Sequence, residues 1–460
     1  MEKSASLYIH IPFCISKCKY CDFFSQTNFD DDKMSKYIQA LCNEIQFRLE
    51  TYQIKSLKTI YIGGGTPSLL SPKNLNQLFA SIKNYVKILS DCEITIEVNP
   101  DDITESLLQN YQMVGINRIS CGIQSMNDQV LKFSGRRACL EQNLKALDLL
   151  KKNWKGKLSL DLICGLPGES KKTFMAGLEK IIEYEPVHIS MYSLTFEDKT
   201  PLGQALNSGK LDYDFDFADD LWLAGKDFLE KKGYSQYEVS NFAKVGFECR
   251  HNLVYWNHED YLGCGSGATG TVYSEDGQGF RWTNSRNIEE YVDFWGREDF
   301  SGVDKKIPSQ GENPLSLKKD HLTGEGLSEQ KIPQAEEIIG LEDSIFEFFM
   351  MGLRKKSGIS SRNFQKIFNQ KIPEKIVKVF EKWQKNGLCQ IYKKNEKTEN
   401  GGKWLSGQEY ACTGGEKTPG WQEKAPAPDK APENHETIYT LGEKGLLFLN
   451  KFLEEIIDLR

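Results

Sequence analysis

Three cysteines near the N-terminus constrain the fold of this chain more than any other feature. Cys14, Cys18 and Cys21 have the spacing C-x3-C-x2-C, and they directly follow a short apolar run, residues 7–11, that predicts a β-strand. Three thiolates on one tight loop can bind three irons of a cubane iron–sulfur cluster, although ordinary clusters take four cysteines. No fourth cysteine is close in sequence, so one iron would keep an open position. The alternatives are a zinc site or three unrelated thiols, but structural zinc usually has four ligands in paired spacings.

An iron with an open position can chelate the amino and carboxylate groups of S-adenosylmethionine (SAM). A cofactor of this kind supplies radical chemistry that protein side chains do not supply on their own. The arrangement is typical of radical SAM proteins. The spacing therefore predicts a [4Fe-4S] cluster bound by the three cysteines, with SAM as a second cofactor.

The composition limits the class of protein. The chain has 460 residues, 39% hydrophobic and 27% charged, which is long enough for two or three domains. A net charge of −7 argues against a general nucleic-acid binder, whose surface would be basic, so we expect no nucleic-acid partner. The sequence has no signal segment and no apolar run of about 18 residues. We therefore expect a cytoplasmic protein, since in that reducing compartment the 12 cysteines stay free and iron–sulfur clusters can be loaded.

Alternating strand and helix patterns between residues 6 and 196 predict a parallel sheet with covering helices, an α/β fold. Periodicity alone does not separate an open doubly wound sheet from a partial barrel. The cysteine motif favours a radical SAM partial (β/α)6 barrel. The predicted strands are residues 7–11, 59–62, 93–98, 118–123, 158–163 and 188–194, and the predicted helices include residues 33–50, 74–86, 140–152 and 171–184.

The rest of the chain predicts further domains. We expect a radical SAM core over residues 1–235, a separate segment over 236–300, a linker or insertion over 301–337 and a C-terminal domain over 338–460. The order helix, helix, strand, strand, helix in that last domain predicts a winged-helix-like fold. Residues 394–436 are poor in apolar side chains and predict a disordered insertion. Because the domain is not notably basic, we expect a protein-contact or structural role for it.

Polar residues follow or end several of the predicted strands. Glycines 63 to 65 come directly after one strand, where backbone amides could approach a ligand closely. Glu97 and Gln124 end two other strands, and Asp161 lies in an apolar strand, where a buried acid needs a partner. Ligands of parallel sheets bind at the carboxyl ends of the strands. These residues are therefore candidates for one SAM site, and the alternative for Glu97 alone is a solvated strand-end acid.

A second motif lies in residues 249–256. His251 is one of only 6 histidines, and Tyr255 and Trp256 follow it closely. Imidazole is a common ligand of haem iron, and aromatic side chains suit a flat macrocycle. A lone histidine is nevertheless more often a structural residue than a ligand.

Together these residues resemble the radical SAM group of oxygen-independent coproporphyrinogen III oxidase-like proteins. The opening Tyr8-x-His10-Ile11-Pro12-Phe13-Cys14 is highly specific to that group. The resemblance implies that Cys14, Cys18 and Cys21 bind the cluster. The contacts with SAM that it implies are Tyr8, Tyr20, Gly64, Gly65, Thr66, Glu97, Gln124, Arg136, Asp161, Ser193 and Thr269.

Within that group the chain is similar to the haem chaperone class (HemW). The oxidase class has another cysteine two residues after the third ligand, where this chain has Phe23, and a substrate-holding N-terminal extension, whereas only seven residues precede Tyr8 here. The chaperone class has a His-Asn-x-x-Tyr-Trp motif implicated in haem binding, which here places haem contacts at His251, Tyr255 and Trp256.

The resemblance implies a protein that carries haem as cargo to acceptor proteins, with membrane respiratory enzymes among the candidate acceptors. The alternative is a radical SAM decarboxylase of coproporphyrinogen III in porphyrin biosynthesis. Phe23 and His251 favour the chaperone, so coproporphyrinogen oxidase activity is not expected. Whether the chain is an enzyme at all is left open by its residues.

Overall fold

The computed structural model describes residues 3–297, 331–394, 436–446 and 448–458. The chain divides into two compact units, Met1–Ser357 and Gly358–Arg460. Most of the predicted linker (residues 301–330) and most of the predicted insertion (residues 395–435) lie outside the described residues. No helix in the described ranges is both long and apolar enough to cross a membrane.

Six parallel strands, hydrogen-bonded to one another in chain order, form the centre of the larger unit. Each of the six predicted strands coincides with one of them, so the predicted α/β class with a parallel sheet is confirmed. The strands are β1 Ser4–Ile11, β2 Ser56–Gly64, β3 Lys87–Val98, β4 Arg118–Gln124, β5 Lys157–Cys164 and β6 His188–Ser193.

Helices connect these strands and begin where the sequence supplies caps. The side chains of Asp30, Ser71 and Thr104 each accept a hydrogen bond from a backbone amide in the first turn of the helix that follows. The helices of this part are α1 Asp31–Thr51, α2 Pro72–Tyr85, α3 Glu105–Val114, α4 Asp128–Phe133, α5 Leu140–Asn153, α6 Lys171–Ile182, α7 Pro201–Asn207 and α8 Phe215–Lys231.

The two faces of this sheet differ in polarity, which is unusual for parallel strands, since both of their faces are normally apolar. One face carries buried residues such as Ile9, Ile62 and Leu160, which belong to the core cluster shared with the helices. The other face carries polar side chains at the alternate positions. We call the following residues the polar face: Ser6, Tyr8, His10, Thr59, Tyr61, Glu93, Thr95, Glu97, Arg118, Ser120, Ser159, Asp161, His188 and Ser190.

The chain from residue 237 to 256 supplies hydrogen-bond partners to the polar face. The Tyr237 hydroxyl lies 2.9 Å from Nε2 of His188, and Arg118 donates to the carbonyl of Phe247 at 3.2 Å. The amide of Arg250 donates to Glu93 at 2.8 Å. This segment includes a helix, and further strands extend both edges of the sheet. These elements are β7 Ser235–Gln236, β8 Asn241–Ala243, α9 Arg250–Trp256, β9 Tyr261–Cys264, β10 Thr269–Tyr273, β11 Gly279–Asn284, α10 Ile288–Trp295, β12 Gln334–Ile339 and α11 Leu341–Gly352.

Two boundaries differ from those predicted. Residues 334–337 were predicted as linker and 338 as the start of the C-terminal domain, but β12 spans both and pairs antiparallel with β11. Its pairing partner lies in the larger unit, which extends to Ser357 and also contains α11. A charged strand such as Gln334–Ile339 has no apolar alternation, so its pairing could not be predicted from its own residues.

The smaller unit has the predicted order of a winged-helix-like domain. Its three strands lie in the order β13-β15-β14, and Phe452 packs against Phe380 and Trp383 with ring centroids 4.7 and 4.9 Å apart. The last helix of that order is divided into two helices. The elements are β13 Ile359–Ser360, α12 Ser361–Phe368, α13 Glu374–Lys385, β14 Cys389–Lys394, β15 Glu436–Leu441, α14 Glu443–Leu446 and α15 Leu449–Ile457.

A buried ion pair anchors α1 in the larger unit. Arg48 and Glu44 lie one turn apart, both almost fully buried, with 3.2 Å between their charged atoms. The Arg48 guanidinium lies over the ring of Trp282 at 4.5 Å. Glu44 accepts hydrogen bonds from the amide of Gly265 at 2.8 Å and the hydroxyl of Tyr291 at 2.6 Å. The pair therefore joins α1 to the loop after β9 and to α10.

We expect Arg48→Met to lower the free energy of unfolding by about 3–5 kcal/mol, because it leaves the Glu44 carboxylate buried without its countercharge. The measurement is the shift of the urea unfolding transition. The matched control is Lys36→Met on the same helix, which breaks an exposed pair with Asp32 and should leave the transition where it is. Equal shifts in the two variants would contradict this account of α1.

Candidate functional site

The loop after β1 holds the three predicted cluster cysteines at the carboxyl end of the strand. The Cys14 amide donates to the carbonyl of Gln26 at 2.9 Å, and the Gln26 amide donates to the carbonyl of Pro12 at 2.7 Å, which closes the base of the loop. The Cys21 amide donates to the carbonyl of Cys18 at 3.2 Å. All three thiols are free and partly exposed, so the loop presents them together beside the end of the sheet.

Two side chains from other elements donate hydrogen bonds to these sulfurs. The Thr66 hydroxyl lies 3.3 Å from Sγ of Cys14, and a guanidinium nitrogen of Arg136 lies 3.6 Å from Sγ of Cys18. Hydrogen bonds to ligating sulfurs are a common way in which proteins tune iron–sulfur clusters. Because hydrogen-bond donors already point at the sulfurs of Cys14 and Cys18, these sulfurs are suited to bind iron as thiolates.

The three cysteines fit a cluster better than a single metal ion. Within the described ranges, no group of three or more His, Cys, Asp or Glu side chains is gathered closely enough to hold one metal ion. In a cubane cluster each cysteine binds its own iron, so the thiols do not converge on one point. Tetrahedral zinc requires such convergence, usually with a fourth ligand.

Glycines at the end of β2 allow close contact with the cysteine loop. Gly64 has a φ of +111°, and a Cβ there would lie 2.5 Å from the ring of His10. A Cβ on Gly65 would lie 2.8 Å from the carbonyl oxygen of Phe13. No larger residue fits these two positions, which explains why glycines occur here.

Two carboxylates lie on the polar face near this end of the sheet. Glu97 accepts hydrogen bonds from the Tyr61 hydroxyl at 2.8 Å and from the amide of Gly64 at 3.1 Å. Asp161 accepts from Ser120 at 2.6 Å and from Ser159 at 3.0 Å. Burial raises the pKa of both groups, that of Glu97 to about 7. Both acids that the sequence predicted as SAM contacts therefore lie together, held by neighbouring side chains.

Arg136 joins the ends of two strands to the cysteine loop. One of its nitrogens donates to the carbonyl of Gly122 at 2.7 Å and to Asn99 at 3.0 Å, and the other points at Cys18. Its Nε is buried and has no hydrogen-bond partner. A buried guanidinium N–H that has no partner can donate a hydrogen bond to a carboxylate. Gln124 lies nearby with a φ of +66° at the end of β4.

The remaining predicted SAM contacts are Tyr8, Tyr20, Ser193 and Thr269. The Tyr8 hydroxyl lies 2.9 Å from Nδ1 of His10, and Tyr20 packs against the small apolar cluster that contains Ile163. Ser193 is exposed at the end of β6. Thr269 is hydrogen-bonded to Thr283 on the neighbouring strand, and no described contact joins it to the other predicted residues.

Sequence reasoning missed three residues of this site, namely His10, Tyr61 and Asn99. His10 bridges the Tyr8 hydroxyl and the carbonyl of Phe24, which fixes the chain after the third cysteine. Tyr61 orients Glu97. Strand alternation could have identified Tyr61, because it lies two residues before Gly63 and therefore on the same face of β2.

The structure places His251 in the interior, against the polar face. Its Nδ1 lies 2.7 Å from the Thr59 hydroxyl and its Nε2 lies 2.9 Å from the Tyr255 hydroxyl. Its ring stacks on that of Tyr61 with centroids 5.1 Å apart. Burial lowers the pKa of His251 to about 3, so the imidazole is neutral. Both ring nitrogens are therefore already hydrogen-bonded, and an iron at either one would have to replace a hydroxyl.

The other two aromatic residues of the motif are partly exposed. The ring of Tyr255 lies edge-on to His251 at 5.3 Å and edge-on to Tyr261 at 4.7 Å. The indole N–H of Trp256 is buried and has no hydrogen-bond partner within the structure. The motif thus combines a histidine whose two ring nitrogens are both hydrogen-bonded with a nearby indole N–H that has no partner.

Comparisons with known proteins agree with this geometry. The family model of the Radical SAM superfamily matches residues 8–181. The haem chaperone HemW of Escherichia coli strain K12 is 39% identical over 287 residues, 62% of this chain and 75% of that protein. HemW of Lactococcus lactis is 32% identical over 385 residues, 82% of this chain and 90% of that protein. The chain belongs to the haem chaperone HemW family.

The predicted family and radical SAM fold are thus confirmed, and membership of the superfamily implies a [4Fe-4S] cluster and SAM. A solved structure supports the fold independently. Coproporphyrinogen III oxidase (HemN) from Escherichia coli, described as a radical SAM enzyme, aligns with a TM-score of 0.68 at 18% identity. The alignment covers 99% of this chain and 90% of that one. At this identity the likeness shows the shared fold alone.

We expect Cys14→Ser, Cys18→Ser and Cys21→Ser each to abolish the bound iron and sulfide of anaerobically reconstituted protein, because each removes one of only three thiolate ligands. The measurement is the iron and sulfide content together with the visible absorption of the cluster. Cys139→Ser is the matched control, since Cys139 is exposed and lies at the N-cap of α5, where serine is well tolerated. A single loop variant with full iron and sulfide content would overturn the assignment.

Proposed function

We propose that this chain is a haem chaperone, which binds haem and transfers it to acceptor proteins while it holds a [4Fe-4S] cluster and SAM. The observation that carries the proposal is the match to proteins named haem chaperone HemW over 75% to 90% of their length. Phe23, in the position where the oxidase class is expected to carry a further cysteine, agrees with it. Its side chain is 71% exposed beside the cysteine loop.

We assign the cofactors to the residues described above. Cys14, Cys18 and Cys21 would bind the cluster, and the Nε–H of Arg136 would donate to the carboxylate of SAM. Glu97 would accept from the ammonium group or from the ribose hydroxyls. When they are bound, the cluster and SAM supply radical chemistry. The residues of this chain hold the two cofactors side by side at the carboxyl end of the sheet and direct donors at the sulfurs.

We also propose that haem contacts the motif formed by His251, Tyr255 and Trp256. Because Nε2 of His251 is hydrogen-bonded to the Tyr255 hydroxyl, ligation of iron at this nitrogen requires that hydroxyl to turn away. The neutral imidazole is in the protonation state that binds iron. The hydrogen bond then acts as a competitor of haem, which makes the affinity for haem depend on the Tyr255 hydroxyl.

The proposal includes a cytoplasmic location. Its support is the state of the cysteines, because all eleven that the structure describes are free thiols. Free thiols and loaded iron–sulfur clusters persist in reducing compartments.

A haem titration of anaerobically purified protein tests this function. We expect haem uptake by the wild type, weaker uptake by His251→Ala, and tighter uptake by Tyr255→Phe, because the phenylalanine keeps the ring and removes the competing hydroxyl. Thr59→Val is the control for a general loosening of the His251 side chain, because it removes the hydrogen bond to Nδ1 and leaves the Tyr255 hydroxyl in place.

The same preparations are incubated with coproporphyrinogen III, SAM and a reductant, and we expect no protoporphyrinogen. SAM-dependent protoporphyrinogen formation without haem uptake would replace the chaperone by the oxidase. Haem uptake that is equal in the wild type and His251→Ala would keep the chaperone and remove His251 from the haem site.

A further inference from the structure

His251 lies directly beneath the residues proposed to bind SAM. Its imidazole stacks on the ring of Tyr61, with centroids 5.1 Å apart and an angle of 29° between the planes. Tyr61 donates its hydroxyl hydrogen to Glu97 at 2.8 Å. A short chain of contacts therefore connects the motif on α9 to the carboxylate on β3.

The ring of Tyr61 depends on its neighbours for its orientation. It faces Tyr8, with centroids 6.3 Å apart, and stacks on His251, and the rings of Tyr8 and His251 are themselves 6.4 Å apart. His251 is itself fixed through both nitrogens, by Thr59 on β2 and by Tyr255 on its own helix. With 1% exposure and two hydrogen bonds, the imidazole is a rigid surface against which the ring of Tyr61 is held.

The position of the Tyr61 hydroxyl decides how Glu97 is oriented. The carboxylate has two described donors, the Tyr61 hydroxyl on one oxygen and the Gly64 amide on the other. A Cβ on Gly63 would lie 2.9 Å from that same carboxylate, so the lack of a side chain at this position makes room for Glu97 where it lies. If Tyr61 were displaced, Glu97 would keep only the Gly64 amide as a donor, and its carboxylate could adopt other orientations.

We infer that His251 is a positioning residue of the SAM site, which holds Tyr61 so that its hydroxyl orients Glu97 toward SAM. This inference rests on the proposed contact between Glu97 and SAM. The His-Asn-x-x-Tyr-Trp motif would then also act in the absence of haem, because its histidine holds a residue of the proposed SAM site in position. A ligand which withdraws His251 from its hydrogen bonds would therefore disturb SAM binding.

A purely structural histidine would give a different pattern of effects. If His251 only fills the core, its loss should weaken SAM binding to the same extent whether or not the Tyr61 hydroxyl is present. If it acts through that hydroxyl, its loss should matter only while the hydroxyl is there. A double-mutant cycle between the two residues separates these cases.

The pH dependence of SAM binding gives a second readout. Either partner proposed for Glu97 is best held by the ionised carboxylate, so SAM affinity should fall as the pH is lowered through the pKa of Glu97, about 7. The Tyr61 hydrogen bond lowers this pKa, so its loss should move the midpoint of binding to higher pH. The titratable groups that face Glu97 are Tyr8 of β1, Tyr61 of β2, Asp161 of β5, Tyr192 of β6 and Tyr255 of α9.

The experiment measures the dissociation constant of SAM by equilibrium dialysis, with reconstituted, haem-free protein of matched iron content. We expect Tyr61→Phe and His251→Ala each to weaken binding about tenfold, the effect of a lost hydrogen bond to a charged group. We expect the double variant to remain at about tenfold rather than about a hundredfold. Tyr61→Phe should also raise the pH midpoint. If His251→Ala fails to fold, Thr59→Val replaces it. We expect Thr59→Val to weaken SAM binding about threefold, and to cause no further loss when Tyr61→Phe is already present.

Two controls keep the outcomes distinct. His258→Asn removes another buried histidine, which stacks on Tyr273 and lies 2.9 Å from Ser344, away from Glu97, and asparagine tolerates its φ of +60°. It should leave SAM binding unchanged. Glu97→Gln should weaken binding more than any other variant. If Glu97→Gln binds SAM like the wild type, the proposed SAM contact is wrong. If Glu97→Gln loses SAM while His251→Ala and Tyr61→Phe act independently, the SAM contact stands and the positioning role of His251 is overturned.

Discussion

The polar face of the central sheet is the constraint on which the rest of the larger unit depends. Buried polar side chains cost free energy unless they are hydrogen-bonded, and a parallel sheet gives them no water to bind. In this chain they bond to one another along the sheet, as Ser120 and Ser159 do with Asp161. They also bond to the segment of residues 237–256, through Tyr237, Arg250 and His251. The segment is therefore part of the core of the fold.

That arrangement gathers the proposed cofactor residues at one end of the sheet. Parallel strands bring their carboxyl ends to one edge, where the cysteine loop, the glycines and Glu97 meet. The glycines allow the end of β2 to lie against the loop, and Arg136 ties the loop to the ends of β3 and β4. Toward the other end of the polar face, Glu93 receives the amides of Arg250 and His251 that begin α9. The proposed cofactor site and the motif proposed to bind haem therefore both contact one hydrogen-bonded layer, and His251 and Tyr61 bring them next to each other.

Local patterns in the sequence predicted the six strands and the cysteine loop, because strand alternation and thiol spacing are short-range features. They also predicted that Glu97 and Asp161 would meet, since parallel topology brings strand ends together. They did not predict that residues 237–256 cover the polar face. Only half of that stretch lies in regular elements, and its contacts join it to strands between 49 and 192 residues earlier in the chain. The saturation of His251 by Thr59, which lies 192 residues before it, could not be predicted for the same reason.

The central claim of this account is that three cysteines hold a cluster with one open iron, and that SAM binds that iron beside Glu97 and Arg136. Mössbauer spectroscopy of protein reconstituted with the Mössbauer-active isotope of iron tests it most directly, because each iron of a cluster contributes its own signal. The account predicts that SAM changes the isomer shift of one iron and leaves the cysteine-bound irons as they were. Identical spectra with and without SAM, at full cluster content, would contradict it.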